Sequence, residues 1–543
     1  MLSRHLNRVG AALCWLHRSN NAVGEYNRRY SLQAESKNEA EEFAIKWEQA
    51  RPFSELPGPT KFQFIRGVMP GGIYYNKSMT EMMMMIYKQY GKIFQVPGLL
   101  GRGMVMAMNP DDFPIVFRNE GQWPVRRSFD SIVYHREVHR RDFFQGVEGV
   151  LSTSGEKWAK VRSVVNPVLL QPRNVRLYLN TMQEVNNEFL LRIREIRDPL
   201  TQEVPDTFED EINRLTFESV AAIALNTQIG MIRKNRDSDD SKALLKSLRS
   251  IFDLAFHLDI MPSLWKYVKT PTFNRMMTTL DTLTDIIAKY IDEAIAKIAT
   301  DTDGKHTTEL GKEKSVLEKL LRHNRRIAVV MALDMMMAGV DTTSSTLAGI
   351  LLCIAKNPNK QQKLREEVRE FLPHKDSEFT LESMKNLPYL RACIKEGIRL
   401  YPIGPGTGRS LPNNVVLSGY QVPKGTDISI GSNLLLSDEQ YVTNANKFIP
   451  ERWIRNEEHR QAGEVVLPFM YLPFGFGPRS CAGKRIVDLE LEITLARLVR
   501  NFNIEFNYPI EHAFKAKFIN VPAIPLKFKF EEIKDSVEWQ NSV

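Results

Sequence analysis

Cys481 sits near the end of the run Phe474-Gly475-Phe476-Gly477-Pro478-Arg479-Ser480-Cys481-Ala482-Gly483, directly ahead of a helical pattern from Lys484 to Val499. A cysteine taken alone is most often a small buried hydrophobe. Here the coming helix offers unsatisfied N–H groups and the positive end of its dipole to the sulfur, which favours a thiolate. Gly477 permits a tight turn, and Gly483 lets the helix approach a flat ligand closely. Phe474 can pack over the sulfur, and Arg479 can pair with a carboxylate.

Three further constellations precede this loop. Ala338-Gly339-Val340-Asp341-Thr342-Thr343 interrupts a long apolar stretch. The small pair leaves room against the helix backbone, and the acid and alcohol that follow can hand on protons. Glu396 and Arg399 stand three residues apart on a helical segment and share a face. Glu48/Arg51, Glu366/Arg369 and Glu457/Arg460 have the same spacing and read as solvated helix charges. Position selects Glu396/Arg399, which is followed by Tyr401-Pro402 and then by Phe448-Ile449-Pro450-Glu451-Arg452-Trp453. Trp158 and Arg162 are spaced i,i+4 after Ser154-Gly155-Glu156-Lys157. Trp47/Arg51 and Trp123/Arg127 repeat that spacing without the context.

The decapeptide ending at Gly483 resembles, at every fixed position, the F-x-x-G-x-R-x-C-x-G signature of the cytochrome P-450 family. The resemblance implies a mainly α fold with a minor β region, a helical haem domain carrying small sheets. It makes Cys481 the proximal, iron-binding ligand of haem b, a thiolate that pushes electron density onto iron and favours O–O cleavage. It places Phe474, Arg479 and Gly483 around the cofactor, and Trp158, Arg162 and Arg409 with Arg479 on the haem propionates. It makes Glu396, Arg399 and Arg452 a buried salt-bridge network, with Trp453 where the family usually has Phe; such a network serves the specificity of the core more than net stability. Asp341 and Thr342 match the family's A-G-x-D-T-T, and so carry proton delivery to oxygen.

These residues need a large, mostly helical scaffold. Helical periodicity dominates from about Asn109 to Arg399, in segments such as Val175–Ile196, Phe217–Leu225 and Asp281–Ile298. Short β signals at 93–96 and 105–108 suit a hairpin, and those at 415–417, 420–422 and 427–430 suit a small sheet. Ile327–Ala355 is apolar enough to suggest a membrane span, but Asp334, Asp341 and Thr342-Thr343-Ser344-Ser345 make it a buried helix. The Met runs at 82–85 and 335–337 read as adaptable core packing. Polar segments 234–242 and 300–314 read as surface loops.

The chain has 543 residues and a formal charge of +8, with 73 basic and 65 acidic side chains. Arg4, Arg8, Arg18, Arg28 and Arg29 against the single acid Glu25 place about half of that charge in the first 30 residues. What remains suits a basic patch for an acidic partner and gives no nucleic-acid surface. Four cysteines without C-x-x-C spacing argue against a disulfide framework or a structural zinc site. The Arg-bearing, acid-poor leader has an eight-residue apolar core, too short to span a bilayer, and reads as a mitochondrial transit peptide over 1–30. A linker over 31–55 and one domain over 56–543 follow, with Leu56-Pro57-Gly58-Pro59 marking the start of order.

No flavin-type G-x-G-x-x-G segment follows a strand, so electrons come from outside the chain. Basic Arg391, Lys395, Lys484 and Arg485 lie where mitochondrial members of the family receive a ferredoxin, here of adrenodoxin type with its NADPH-dependent reductase. The pattern looks insect-like. Localisation follows as the matrix side of the mitochondrion, with peripheral association with the inner membrane. Phe129, Ile132, Phe143, Phe144, Phe252 and Phe256 offer apolar contacts for a hydrophobic small molecule, a foreign compound or a steroid-like one. Two other readings share the cysteine loop. A haem-thiolate isomerase or dehydratase would not need the Asp341-Thr342 pair, and a non-catalytic haem carrier would need neither that pair nor a donor face.

Overall fold

The computed structural model describes residues 37–98, 103–127, 129–233, 238–300, 314–454 and 469–534. The leader at 1–30 and the Glu457/Arg460 pair lie outside them, as do residues 234–237 and 301–313 of the two polar segments, while 239–242, expected as loop, are helical. Helices α1 (Lys37–Gln49), α2 (Lys61–Val68) and α3 (Met79–Tyr90) lead into strands β1 (Ile93–Val96) and β2 (Met104–Ala107). The main helices follow: α4 (Gly155–Leu169), α5 (Leu179–Ile196), α6 (Phe208–Ala224), α7 (Asp239–Ala255), α8 (Pro271–Thr300), α9 (Arg325–Ala355), α10 (Pro358–Phe371) and α11 (Pro388–Leu400). Strands β3 (Thr407–Ser410), β4 (Val415–Leu417), β5 (Tyr420–Val422) and β6 (Asp427–Ile430) precede helix α12 (Lys484–Asn501). Short strands β7 (Phe502–Glu505), β8 (Phe514–Ala516), β9 (Asn520–Pro522) and β10 (Lys529–Glu532) close the described chain.

Two apolar cores organise this order. One is helical, and α9 runs through it with residues buried along nearly its whole length, including Val329, Met336, Leu347 and Ile350. A helix apolar on all sides belongs inside a large protein or a membrane. Here α6, α8, α11 and α12 cover it. The other core joins α3, β1, β2 and the strands after α11, and it buries Met82 and Met83 as packing residues.

The β region differs from expectation in one respect. β4 and β5 form their own hairpin, but β6 leaves them and enters a four-stranded sheet in the order β1-β2-β6-β3. There β2 and β6 pair in parallel, Met104 with Asp427 through Ala107 with Ile430. Periodicity identifies strands without revealing distant partners.

The expected linker is also corrected. Residues 37–49 are helical, and Arg51 exchanges backbone hydrogen bonds with Gly419 and Gln421, both at 2.9 Å. Gln421 Nε2 also donates to Trp47 O at 2.7 Å. A charged sequence forms a helix here because docking against β4 and β5 adds what local propensity lacks.

Candidate functional site

The segment from Phe474 to Gly483 is folded by its own backbone. Cys481 N–H donates to Phe474 O at 2.8 Å, and Ser480 N–H to Gly477 O at 3.0 Å. Gly477 has φ +70°, and a Cβ there would stand 2.6 Å from Glu120 Oε1, so both conformation and space demand glycine. Gly483 sits at the start of α12. A Cβ on it would lie 3.8 Å from Cys481 Sγ, an ordinary contact.

Cys481 looks into a cavity of about 460 Å³, so its exposed surface faces that space. Burial raises the thiol pKa, opposed by the Gly483 N–H and by the charges of Arg162 and Arg126. Facing the sulfur across the cavity is α9, through Ala338, Gly339, Thr342, Thr343 and Thr346. Thr342 Oγ1 donates to Ala338 O at 2.6 Å and Thr346 Oγ1 to Thr342 O at 2.8 Å, back-bonds of the kind that bend helices. A Cβ on Gly339 would meet Val220 Cγ2 at 2.9 Å, so this glycine also lets α6 pack closely.

The cationic rim is built by several elements. Arg162, on α4, donates to Ser480 O at 2.7 Å, tying that helix to the cysteine loop. Arg479 donates to Thr153 O at 2.9 Å, and its guanidinium stacks on Trp158 at 4.6 Å. Sequence reasoning missed Arg126, which also lines the cavity. A bridge between Val125 and Ser410 on β3 sets it there, with Ser410 N–H donating to Val125 O at 2.8 Å. No local spacing announces a residue placed by a strand so far along the chain.

Each of these arginines keeps one buried nitrogen without a protein partner: Arg126 Nε, Arg162 Nε and Arg479 Nη1. Burial lowers all three pKa values; neighbouring arginines add to it for Arg479, taken to about 8, and Arg126, taken to about 10, while Cys481 opposes it for Arg162. Buried donors of like charge at the mouth of one cavity ask for anionic acceptors. The two carboxylates of haem b would answer that demand and Cys481 would hold its iron, so these residues fit haem b. When bound, haem b supplies the iron at which dioxygen is activated.

Arg409, expected with the propionates, pairs with buried Glu120 and donates to Thr407 Oγ1 at 3.0 Å, Gly408 O at 2.8 Å and Phe476 O at 3.1 Å. Its charge also acts on Arg126 and Arg479, so it braces the cysteine loop beside the cationic rim.

The expected network at Glu396 is present. Arg399 grips the carboxylate through two bonds of 2.9 Å, and Arg452 Nε reaches Oε1 at 3.0 Å. Arg399 also donates to Leu436 O, Ala445 O and Lys447 O. Asp341 does not line the cavity. Burial raises its carboxyl to about 7, with the charge of Arg249 opposing and that of Glu209 adding.

The expected aromatic wall is corrected too. None of Phe129, Ile132, Phe143, Phe144, Phe252 and Phe256 lines the cavity. Phe129 and Phe252 pack against Phe518, with ring centroids at 4.5 and 5.7 Å, and of these three only Phe518 lines the cavity. Arg391 is likewise committed, to Glu492 at 2.8 Å and to the carbonyls of Met384 and Lys385. Lys395 and Arg485 are exposed, and Lys484 pairs with Asp488 at the surface.

A helical scaffold presenting a thiolate loop to a cavity sized for a flat ligand is the architecture of a haem-thiolate monooxygenase. The cytochrome P450 family model matches residues 57–530, and the chain belongs to that family. It is 52% identical to "Probable cytochrome P450 12e1, mitochondrial" of Drosophila melanogaster, over 90% of this chain and 94% of that one. It is 51% identical to "Cytochrome P450 CYP12A2" of Musca domestica, over 92% and 95%. A further Drosophila melanogaster relative, "Probable cytochrome P450 12a5, mitochondrial", is 49% identical over 92% and 94%. These relatives agree with the insect-like mitochondrial type to which the motifs point.

Proposed function

We propose that this monooxygenase inserts one oxygen atom from O2 into a hydrophobic small molecule, a foreign compound or a steroid-like one. Its electrons come from a mitochondrial ferredoxin of adrenodoxin type served by an NADPH-dependent reductase. The observation that carries this reading is a single cavity onto which Cys481, three arginines with unpartnered nitrogens, and the Ala338-Gly339-Thr342 wall all open. Val150, Leu151, Met331, Met335, Ile403 and Phe518 make the rest of its lining largely apolar, which suits a substrate held by shape and water exclusion.

Thr342 stands at the cavity, and Asp341 precedes it on α9, buried and under the charges of Arg249 and Glu209. That order suits proton delivery, with the acid collecting protons and the alcohol passing them inward. Lys395, Lys484 and Arg485 form the exposed basic face to which an acidic ferredoxin docks. The basic leader over 1–30 supports import and a matrix location. Phe62, Ile65, Met69, Ile73 and Tyr75, with Ile260, Met261, Leu264, Tyr267 and Val268, are large exposed hydrophobics that support peripheral membrane contact.

The test is spectroscopic, then catalytic. Reduced protein exposed to carbon monoxide shows a strongly red-shifted Soret band, and Cys481→Ala loses it. Turnover of apolar substrates with 18O2 then requires NADPH, the reductase and the ferredoxin together. Well-folded wild-type protein that takes up no haem, or turnover indifferent to the ferredoxin, overturns the reading.

A further inference from the structure

Away from the cavity at Cys481, a second recess of about 360 Å³ opens between α6 and α7. Four cations line it, Arg214 from α6 and Lys242, Lys246 and Arg249 from α7, and Met231 and Leu245 supply its apolar part. None of these residues lines the reaction cavity. The volume lies at the small end of those that hold small molecules.

The arrangement follows from helix geometry. Lys242, Lys246 and Arg249 are spaced four and three residues apart, so they share one face of α7, while Leu244, Leu248 and Ile251 are buried. At 1.5 Å per residue the row of cations runs about 10 Å along the axis. Arg214 Nη1 donates to Met231 O at 3.0 Å, which fixes that guanidinium at the recess. The nearby carboxylates do not balance this charge. Asp210 pairs with Arg249, and Glu211 comes within 4.0 Å of Arg214, but Arg192 already grips both Glu211 oxygens at 3.0 Å. Among the described residues, Lys242 and Lys246 form no ion pair. Like charges gathered in a concavity attract an anion that can touch several of them at once.

We propose that this recess binds a small molecule carrying two or more linked phosphates, with its organic part resting on Met231 and Leu245. The length of the cation row selects the chemistry. A single tetrahedral anion is shorter than the row, whereas linked phosphates reach from Lys242 and Lys246 to Arg249 and Arg214. A guanidinium fork matches phosphate oxygens in pairs, and the ammonium groups act as point charges.

The test is calorimetric titration of the full-length, haem-loaded protein at low salt, where bound haem occupies the rim arginines. Pyrophosphate binds at a single site, roughly tenfold tighter than orthophosphate because of the further cations it reaches. Combining Lys242→Ala with Lys246→Ala weakens pyrophosphate about tenfold, by removing two exposed charge contacts, and leaves the melting temperature unchanged. Combining Lys395→Ala with Arg485→Ala, on the proposed donor face, leaves pyrophosphate binding as in wild type. ADP displaces pyrophosphate, since its organic part has room in the recess. Equal affinity for the two inorganic probes, undiminished binding without the α7 lysines, an equal loss in the donor-face variant, or exclusion of ADP overturns the proposal. The readout is binding without turnover, so it stands apart from the substrate and donor reading.

Discussion

Trp453 Nε1 donates to Glu396 Oε2 at 2.9 Å, adding an indole to a carboxylate already held by two arginines. The backbone N–H of Ile449 also reaches Glu396 Oε1, at 3.0 Å. The tryptophan that departs from the usual phenylalanine thus satisfies a lone pair that phenylalanine would leave open. Trp453→Phe should cost about 1 kcal/mol, the net worth of one hydrogen bond, while Glu396→Ala should cost about 3–5 kcal/mol by stranding two buried guanidiniums. Urea unfolding of both variants checks the ratio; equal losses would refute it.

The rim arginines and Arg409 should behave differently. Arg126→Ala and Arg162→Ala each remove a charged hydrogen-bond donor worth about 1.5–3 kcal/mol, so haem should transfer to an acceptor protein roughly 10- to 100-fold faster. Arg409→Ala should mainly lower thermal stability, because it strands Glu120 below the loop. Haem transfer rates measured beside melting temperatures separate the two groups.

On the proposed docking face, Arg485→Glu and Lys395→Glu should raise the ferredoxin KM, with a dependence on ionic strength weaker than in wild type. Arg391→Ala should instead loosen α11 from α12, costing about 1 kcal/mol for a half-exposed pair. Steady-state kinetics at two salt concentrations decide this; an Arg391 variant that changes only KM would restore it to the docking face.

His135 carries a pH dependence. Burial pushes its pKa down to about 4, against opposing pulls from Asp281, which it meets at 3.0 Å. Its folded value lies below the ordinary 6.5, so the unfolded chain binds more protons between these values. Stability is fully present above pH 6.5 and drains as pH falls toward 4, by up to about 3 kcal/mol. His135→Phe should flatten that part of the stability profile, and an unchanged slope would remove His135 as its source.

Legibility in the sequence followed the range of the interactions. The cysteine loop, the wall around Thr342 and the Glu396–Arg399 pair are contiguous or at helical spacing, so residue order alone discloses them, whereas Arg452 joins the pair from 56 positions away and was expected only through the family resemblance. Arg126 and the partner of Arg409 were hidden because a strand bridge and a distant acid place them. The aromatics failed as cavity contacts because composition marks a residue as buried without saying which layer it occupies.

The parallel pairing of β2 with β6 ties Met104 to Asp427, more than three hundred positions later. Loop closure over so long a stretch is slow, and contacts of this kind dominate folding time. The sheet that carries β3, and through the bridge at Val125 orients Arg126, cannot close until the chain has emerged past Ile430. A partial product, whether on a ribosome or in a translocation pore, therefore has no finished cofactor rim. Haem capture should follow closure of this sheet, and Ser410→Pro, which removes the N–H that bridges to Val125, should leave a helical chain that takes up haem poorly although Cys481 is intact.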